Sequence, residues 1–587
     1  MFASPSILPR LEASGLFTDA DLYQARFAAS LAREGQADLA AGLAALASLA
    51  VREGHVCLHL DDAGVREHLA AVGLDAAAGL EATGVAGPPG SAMPMILDGP
   101  RLYFARFFRD EQTLASAFLR LAQATPLDLP PEPAAGIFRG GEGIDWQDVA
   151  VFAALRSRFC VISGGPGTGK TTTVARILTL AARLHAGNDF TIRLAAPTGK
   201  AASRMTEALA AAFPDGSRPP ELEHCLSGNA QTVHRLLGWS AGGFRHNRAN
   251  PLALDMLVVD EASMLDLELT ARLLDALPEH ARLVLLGDRN QLASVEAGAV
   301  LANLCHEDVV NVFSTGFAAD AAGAGGPALP ETLRPAALTD HVVELQHSYR
   351  FGPDSGIAAL SGLIRDGRAH EAAMLLEQGH DDLEMRQCAG PAALAAELAP
   401  LLREEFRGME GVTDPARAFG MFAALRLLSP IRKGPFGAEA LNRLARETLA
   451  PRAGDGWYPG RPVMILENDY NLGLFNGDVG IALPADGQLR VFFPGAEGFM
   501  SFAPARLPRH ETCYAMTVHK SQGSEFRHTV LVLPEEPCPV LGRELLYTAL
   551  TRARERFTLV GAAGQVRDAV QRPVRRDSGL GEMLRKA

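Results

Sequence analysis

Residues 161–173 read Val-Ile-Ser-Gly-Gly-Pro-Gly-Thr-Gly-Lys-Thr-Thr-Thr: the end of an apolar strand, a glycine-rich turn and the start of a helix. Every position fits the spacing G-x-x-x-x-G-K-[ST], which few architectures can accommodate, because a buried strand must deliver the turn to a helix N-terminus. Glycines let backbone N–H groups curl around phosphate oxygens, and the helix opening near Lys170 aims the positive end of its dipole at the anion. Gly164, Gly165, Pro166, Gly167, Thr168, Gly169, Lys170, Thr171 and Thr172 are therefore expected to hold a nucleoside triphosphate. Lys170 is placed for the β/γ-phosphates and Thr171 for Mg²⁺. An accidental lysine beside a glycine turn would lack the flanking strand and helix.

The surrounding pattern fits an α/β fold. Phe159–Ser163, Ile192–Ala196, Met256–Asp260 and Leu283–Gly287 are near-continuously apolar and are separated by helical stretches, as in a parallel sheet covered on both faces. Before them, alanine-rich helical spacing from Leu16 to Ala50 is followed by β-like runs at 56–60, 94–97 and 102–104, a helix over 111–123 and a proline-rich linker at 126–133. The Ala/Gly/Pro-rich segment 314–337 reads as a mobile surface loop. A second α/β unit begins near His341. Short strands and turns at 461–466, 477–483 and 489–493 interrupt it and predict a small β-barrel-like insert over about 434–511. The expected division is 1–110, a small, mainly helical N-terminal domain; 111–340, a first ATPase domain with a hairpin at about 238–251; and 341–587, a second α/β domain carrying the insert.

A net charge of −13 looks wrong for a nucleic-acid binder until its distribution is read. Residues 1–145 hold 18 acidic and 10 basic side chains, whereas the remainder holds 50 and 45. The acid excess is therefore N-terminal, and a near-neutral remainder is compatible with an internal groove that grips a single strand. Seven cysteines form no C-x-x-C pair, which argues against a zinc or iron–sulfur site and against a disulfide framework. The run Leu39–Val51 is too short to cross a bilayer, and the first residues lack the pattern of a signal peptide, so the chain is expected in the cytoplasm without a membrane partner.

Two further strand ends carry chemistry. Leu257–Ser263 ends in Asp260 and Glu261, placing Asp260 to hold Mg²⁺ and Glu261 to polarise the attacking water. Leu283–Leu292 runs into Gly-Asp-Arg-Asn-Gln, where Gln291 can sense a γ-phosphate. At Ala195–Ala202, Thr198, Lys200 and backbone amides at a strand-to-helix turn can hold a phosphodiester. Trp239 beside the Gly242-Gly243 turn suggests a hairpin, either a pin that splits a duplex or a packed connection.

Taken in order, G-G-P-G-T-G-K-T-T-T (164–173), A-P-T-G-K-A-A (196–202), T-V-H-R-L-L-G (232–238), V-V-D-E-A-S-M (258–264), L-G-D-R-N-Q-L-A-S-V (286–295), Q-H-S-Y-R-F (346–351), A-M-T-V-H-K-S-Q-G-S-E-F (515–526) and Y-T-A-L-T-R-A-R (547–554) resemble the motif set of superfamily-one helicases. Within these the chain resembles the RecD family, the α subunits of the RecBCD helicase–nuclease exodeoxyribonuclease V. Residues 51–60 and 94–103 are also similar to that family, so the likeness covers nearly the whole chain.

The resemblance implies two RecA-like P-loop NTPase domains, an ATP- and Mg²⁺-dependent motor with 5′→3′ polarity, and assembly with RecB-like and RecC-like subunits at DNA ends in double-strand break repair. It further implies that Gln147 reads the adenine edge, Tyr349 stacks on the base and Glu525 lies near the ribose. Arg350 and Arg552 would reach the γ-phosphate across the interdomain cleft, and His234, Thr517, His519 and Lys520 would join Thr198 and Lys200 on DNA. Other readings are an ATP-driven switch that never walks on DNA, which the single-strand motifs oppose, and a stand-alone helicase of the longer RecD-like kind. No acidic metal cluster follows Arg554, so the nuclease centre is expected in a partner.

Overall fold

In the computed structural model, the described residues are 6–71, 80–127, 129, 136–141, 143–213, 218–352, 354–454, 456–469, 471–495 and 498–586. Side-chain alternation along the strands builds the first layer. Phe159 and Val161 enter one apolar cluster while Cys160 and Ile162 enter another, and Leu257 and Val259 part in the same way from Met256 and Val258. A run that is apolar at every position is thus a strand buried on both faces.

The strands are β1 (Phe159–Gly164), β2 (Ile192–Ala196), β3 (Gln231–Thr232), β4 (Met256–Val259), β5 (Arg282–Gly287) and β6 (Val342–Leu345). They form one parallel sheet in the order β6-β1-β5-β4-β2-β3. Helices Ala105–Ala122 and Leu267–Ala276 cover one face, and helices Trp146–Arg156, Lys170–Leu184 and Gly199–Ala211 the other. Because all strands point the same way, every motif loop leaves from a carboxyl end of the sheet, where open α/β sheets bind ligands.

A second parallel sheet contains β7 (Leu383–Arg386), β8 (Leu425–Ser429), β9 (Ala515–Thr517), β10 (Phe526–Val532) and β11 (Ala553–Val560), in the order β7-β11-β10-β8-β9. Between β8 and β9 lies the insert, a five-stranded antiparallel sheet ordered 498–502, 488–495, 479–485, 462–465, 510–512. Among the described residues no pairing joins its two edge strands, so the sheet is open where the sequence predicted a barrel-like closure. The helix Ala438–Leu449 buries Leu441 and Ala445 in the same apolar cluster as Leu427 and Leu428 of β8.

The N-terminal helices Asp19–Leu31 and Ala37–Arg52 meet through small residues, with Ala25, Ala28, Ala40, Ala41, Ala44 and Ala45 buried, and Thr18 with Asp21 forms a capping box that starts the first of them. A small sheet follows, in the order 58–59, 101–104, 95–98, 86–87. The helix Ala105–Ala122 runs unbroken through residue 110, where the sequence reading put a boundary. Much of the expected linker 126–133 lies outside the described residues. The segment read as a mobile loop is ordered: Ser314 caps the helix Thr315–Gly323, and Phe317, Ala318, Ala321 and Leu329 are buried. An alanine-rich sequence hid an apolar helix face.

After the helix Ala563–Gln571 the chain leaves the second domain and returns to the first. Asp577 pairs with His55 at 3.0 Å, and its carbonyl accepts the Val56 N–H at 2.8 Å. Arg576 donates to the carbonyls of Gly54, Ser294 and Glu296, at 3.1, 2.8 and 2.9 Å respectively. The helix Leu580–Lys586 then buries Leu580 and Leu584 against Leu114 and its neighbours in the first domain. No helix among the described residues is long and apolar enough to cross a membrane.

Candidate nucleotide and strand-binding site

The loop after β1 takes the shape that its glycines permit. Gly167 and Gly169 have φ of 75° and 84°, in the left-handed region. A Cβ on Gly169 would stand 2.1 Å from Gln147 Nε2, and one on Gly167 2.3 Å from Arg350 Cβ, so neither position tolerates a side chain. Lys170 Nζ donates to the carbonyls of Gly164 (2.5 Å) and Gly165 (3.1 Å), folding the ammonium over its own loop. Thr168 is buried with its hydroxyl on the Gly165 carbonyl at 2.8 Å, while Thr171 and Thr172 are exposed.

Beside the loop opens a cavity of about 530 Å³ lined by Trp146, Gln147, Thr168, Gln346, His347 and Tyr349, among others. Gln147 Nε2 donates to the Thr168 carbonyl at 3.1 Å, tying the cavity wall to the phosphate loop. Tyr349 is 62% exposed, and its ring meets His347 edge-on at 4.5 Å. Its N–H donates to the Gly167 carbonyl at 2.7 Å. The dimensions and the aromatic wall suit a purine.

Asp260 and Glu261 follow β4. Burial pushes the Asp260 carboxyl up against the opposing charge of Lys170. Burial and then Asp260 push the Glu261 carboxyl up, with Arg552 and Lys170 opposing. Glu261 is a non-glycine residue in the left-handed region (φ 53°, ψ 39°), a conformation that costs about 1–3 kcal/mol and clusters at active sites. The Glu261 N–H donates to Asp260 Oδ1 at 2.8 Å, which holds the Asp260 carboxylate against the backbone of its neighbour.

The second domain closes on this group. Arg552 is buried, with Nε on the Thr548 carbonyl and Nη1 on the Ser524 carbonyl, both at 3.1 Å. Gln291 donates to Asp288 at 3.1 Å, and Tyr547 reaches the same carboxylate oxygen at 3.0 Å. The Leu292 N–H donates to Thr548 Oγ1 at 2.9 Å, and Gln522 donates to the Leu292 carbonyl at 2.8 Å. Gln291 Oε1 and Arg350 Nη1 are among the buried atoms with no partner in the described residues. An acceptor and a donor left over at the mouth of a phosphate loop fit a water and a phosphate oxygen. For a divalent ion the oxygens of Thr171 and Asp260 are hard donors of the kind Mg²⁺ takes together with phosphate oxygens.

The expected strand-binding residues divide. Thr198 caps the helix Gly199–Ala211 by accepting the Ala201 N–H (3.2 Å), and Thr517 accepts the Lys520 N–H (3.4 Å); each hydroxyl keeps its own O–H to donate. Lys520 is held by Glu511 at 2.6 Å. Lys200 lies in the interface, its amine pushed down to about 8 by burial and by Arg426. His519 is half-buried and is pushed down by burial and then by Arg576. His234 is exposed beside the hairpin Trp239–Ser240/Gly243–Phe244, its ring 6.4 Å from Trp239 and 5.9 Å from Phe244.

Glu525, expected near the ribose, is engaged by three guanidinium groups. Arg350 lies at 2.6 Å, Arg554 at 2.9 Å and Arg204 at 3.1 Å. Burial raises this carboxyl, yet the three cations together hold it well below the usual carboxylate range. Asp288, Tyr547, Thr548 and Arg204 were given no role by sequence reasoning. The first three stand inside quoted motifs, and Arg204 stands one helical turn beyond Lys200.

Two parallel-sheet domains, a phosphate loop on one and Arg552 of the other beside its carboxylates, form an ATPase motor of the kind found in helicases. Family models agree along the chain: an AAA domain matches residues 147–297, a UvrD-like helicase C-terminal domain 512–560, and the N-terminal domain of RecBCD enzyme subunit RecD 13–103. The chain is 36% identical over 551 residues to RecBCD enzyme subunit RecD of Haemophilus influenzae, covering 85% of this chain and 82% of that one. It is 38% identical over 587 residues to that of Mycobacterium tuberculosis H37Rv, covering 97% and 95%. The ATP-dependent RecD2 DNA helicase of Deinococcus radiodurans is 33% identical over 500 residues, covering 83% of this chain and 59% of its own length. The chain belongs to the RecD family of RecBCD enzyme subunits.

Proposed function

We propose that the chain couples ATP hydrolysis to 5′→3′ movement along single-stranded DNA, as the RecD-type motor of a heterotrimer with RecB-like and RecC-like subunits that processes DNA ends for recombinational repair. The observation that carries the reading is the cleft itself. Arg350 and Arg552 come from beyond β6, Lys170 and Glu261 from the loops of β1 and β4, so the hydrolytic centre is complete only when the domains meet. Lys170 neutralises the β/γ-phosphates, Glu261 orients the attacking water, and Arg350 and Arg552 stabilise charge on the transferring phosphoryl group. Mg²⁺ held by Thr171 and Asp260 would supply charge neutralisation at the phosphates. Gln147 and Tyr349 bracket the base. Thr198, Lys200, His234, Thr517, His519 and Lys520 line the strand path, whose grip alternates as the cleft closes and opens.

Two surfaces support finer parts of this reading. Trp239 is 52% exposed on its hairpin, opposite Phe244, which favours a pin that meets the duplex over a packed connection. On the helix Asp19–Leu31, Tyr23, Phe27 and Leu31 recur every four residues and are all exposed, an apolar stripe suited to a partner subunit. We place the docking surface within about residues 1–104 and the two motor domains after it. Strand displacement on duplexes with 5′ or 3′ tails tests the proposal, using the chain alone and with its partners. Unwinding confined to 5′ tails and lost in Lys170→Ala is expected; unwinding of 3′ tails alone would overturn the polarity.

A further inference from the structure

Arg204 lies four residues beyond Lys200 on the helix Gly199–Ala211, on the same face. Its Nη1 donates to the Gly523 carbonyl at 2.8 Å, and its Nη2 reaches Glu525 Oε2 at 3.1 Å. Both acceptors belong to the second domain, in the stretch after Lys520. Glu525 uses its other oxygen, Oε1, to hold Arg350 at 2.6 Å. One carboxylate thus joins the helix that carries Thr198 and Lys200 to the guanidinium beside the phosphate loop.

The remaining cation cannot replace Arg204. Arg554 shares Oε2 at 2.9 Å, but its side chain is 58% exposed, and exposed pairs contribute little fixed geometry. Arg204 is anchored at two points, and its fork serves a carbonyl and a carboxylate at once, which an ammonium cannot reproduce. Burial pushes the carboxyls of Asp260 and Glu261 up, and the charge of Arg204 is among those that oppose this without touching either.

We propose that Arg204 is a positioning residue for ATP hydrolysis: by holding Glu525 from the opposite domain it fixes the reach of Arg350 over Gly167, and it makes that reach respond to what the helix Gly199–Ala211 binds. This rests on the assignment of Lys170, Glu261 and Arg350 to the hydrolytic centre. DNA bound at the first turn of the helix then shifts an arginine one turn along, and the shift is passed to the phosphate site through Glu525.

The test uses the full chain, oligothymidylate, and turnover measured against ATP concentration. For Arg204→Gln, kcat with DNA should fall at least about tenfold, while KM for ATP stays within about twofold and oligothymidylate affinity within about threefold. Arg204→Lys should fall between it and wild type. The pair Arg204→Gln/Glu525→Gln should be no slower than Glu525→Gln alone, since both changes break one linkage. Wild-type kcat in the Gln variant, a loss of oligothymidylate affinity that accounts for the whole fall, or additive losses in the pair would each overturn the proposal. Should Arg204→Gln fail to fold, Arg204→Lys decides: reduced kcat at an unchanged melting temperature supports the role, and unchanged kcat removes it. Lys170→Ala run alongside separates the two readings, because turnover there would sink the hydrolytic centre itself.

Discussion

Arg350 and Glu525 meet at 2.6 Å although 175 residues separate them, one lying just after β6 of the first sheet and the other just before β10 of the second. The pair leaves Arg350 Nη1 buried without a protein partner among the described residues, above a loop whose Gly167 exists to let that side chain approach. A guanidinium with one nitrogen anchored and another unspent is prepared for a phosphate oxygen.

Arg552→Lys should therefore be severe although charge is retained. Arg552 spends its Nε and Nη1 on the carbonyls of Thr548 and Ser524, so its orientation depends on the planar fork. The DNA-stimulated kcat is expected to fall by at least about a hundredfold with a smaller change in KM for ATP. Steady-state kinetics decide, and near-normal turnover would pass the transition-state role to Arg350.

Glu261→Gln should keep nucleotide binding and lose hydrolysis. The amide preserves the shape held by the left-handed backbone but cannot orient water as a carboxylate does, a loss of about 10²–10⁴ in kcat. Titration with a fluorescent ATP analogue beside a turnover assay separates the two effects. Equal losses in both would make Glu261 a binding residue.

Lys200 should impose a pH dependence on strand binding. Burial and Arg426 push its amine down to about 8, whereas a DNA phosphate beside it favours the charged form. Binding above that pH must take up a proton, so affinity should fall as pH rises past about 8, by up to about tenfold per unit. Anisotropy of labelled oligothymidylate across this range reads the slope. Lys200→Arg, charged throughout, should flatten it, and a flat wild-type profile would take Lys200 off the strand.

The exposed stripe on the first long helix can be tested without touching the motor. Tyr23→Ser with Phe27→Ser should abolish co-purification with the RecB-like and RecC-like subunits, while DNA-stimulated ATPase and melting temperature stay near wild type, since exposed changes shift stability by about 0.5 kcal/mol or less. Retained assembly would move the docking surface elsewhere.

The parts of the site that could be read from the sequence are those whose chemistry is local. A phosphate loop needs its glycines, lysine and threonine at fixed spacing on one turn, so residues 164–171 announce themselves, and the same holds for Asp260 and Glu261 at a strand end. Glu525 defeats this kind of reading because its partners, at 204, 350 and 554, converge only after two sheets have formed and faced each other. The ordered helix Thr315–Gly323 was obscured for another reason: Phe317 anchors it against Phe152 and Phe313, while the small residues around it carry the composition of a loop. Strand content in the insert was evident from alternation, whereas whether a sheet closes depends on its edges, which no local pattern encodes.

The path of residues 572–586 also bears on how the protein is made. Leu580 and Leu584 complete an apolar face begun by Leu114 and Phe118 and continued by Leu257 and Leu283. The first domain's interior is thus finished by residues synthesised after the entire second domain, which sits in the chain like an insertion within its neighbour. Domains of this kind cannot fold one by one in the order in which they leave the ribosome. Until residue 584 has emerged, the helix Ala105–Ala122 presents unpaired apolar surface, and the pairings that cover it are among the longest in sequence separation that the chain makes, hence among the slowest to form.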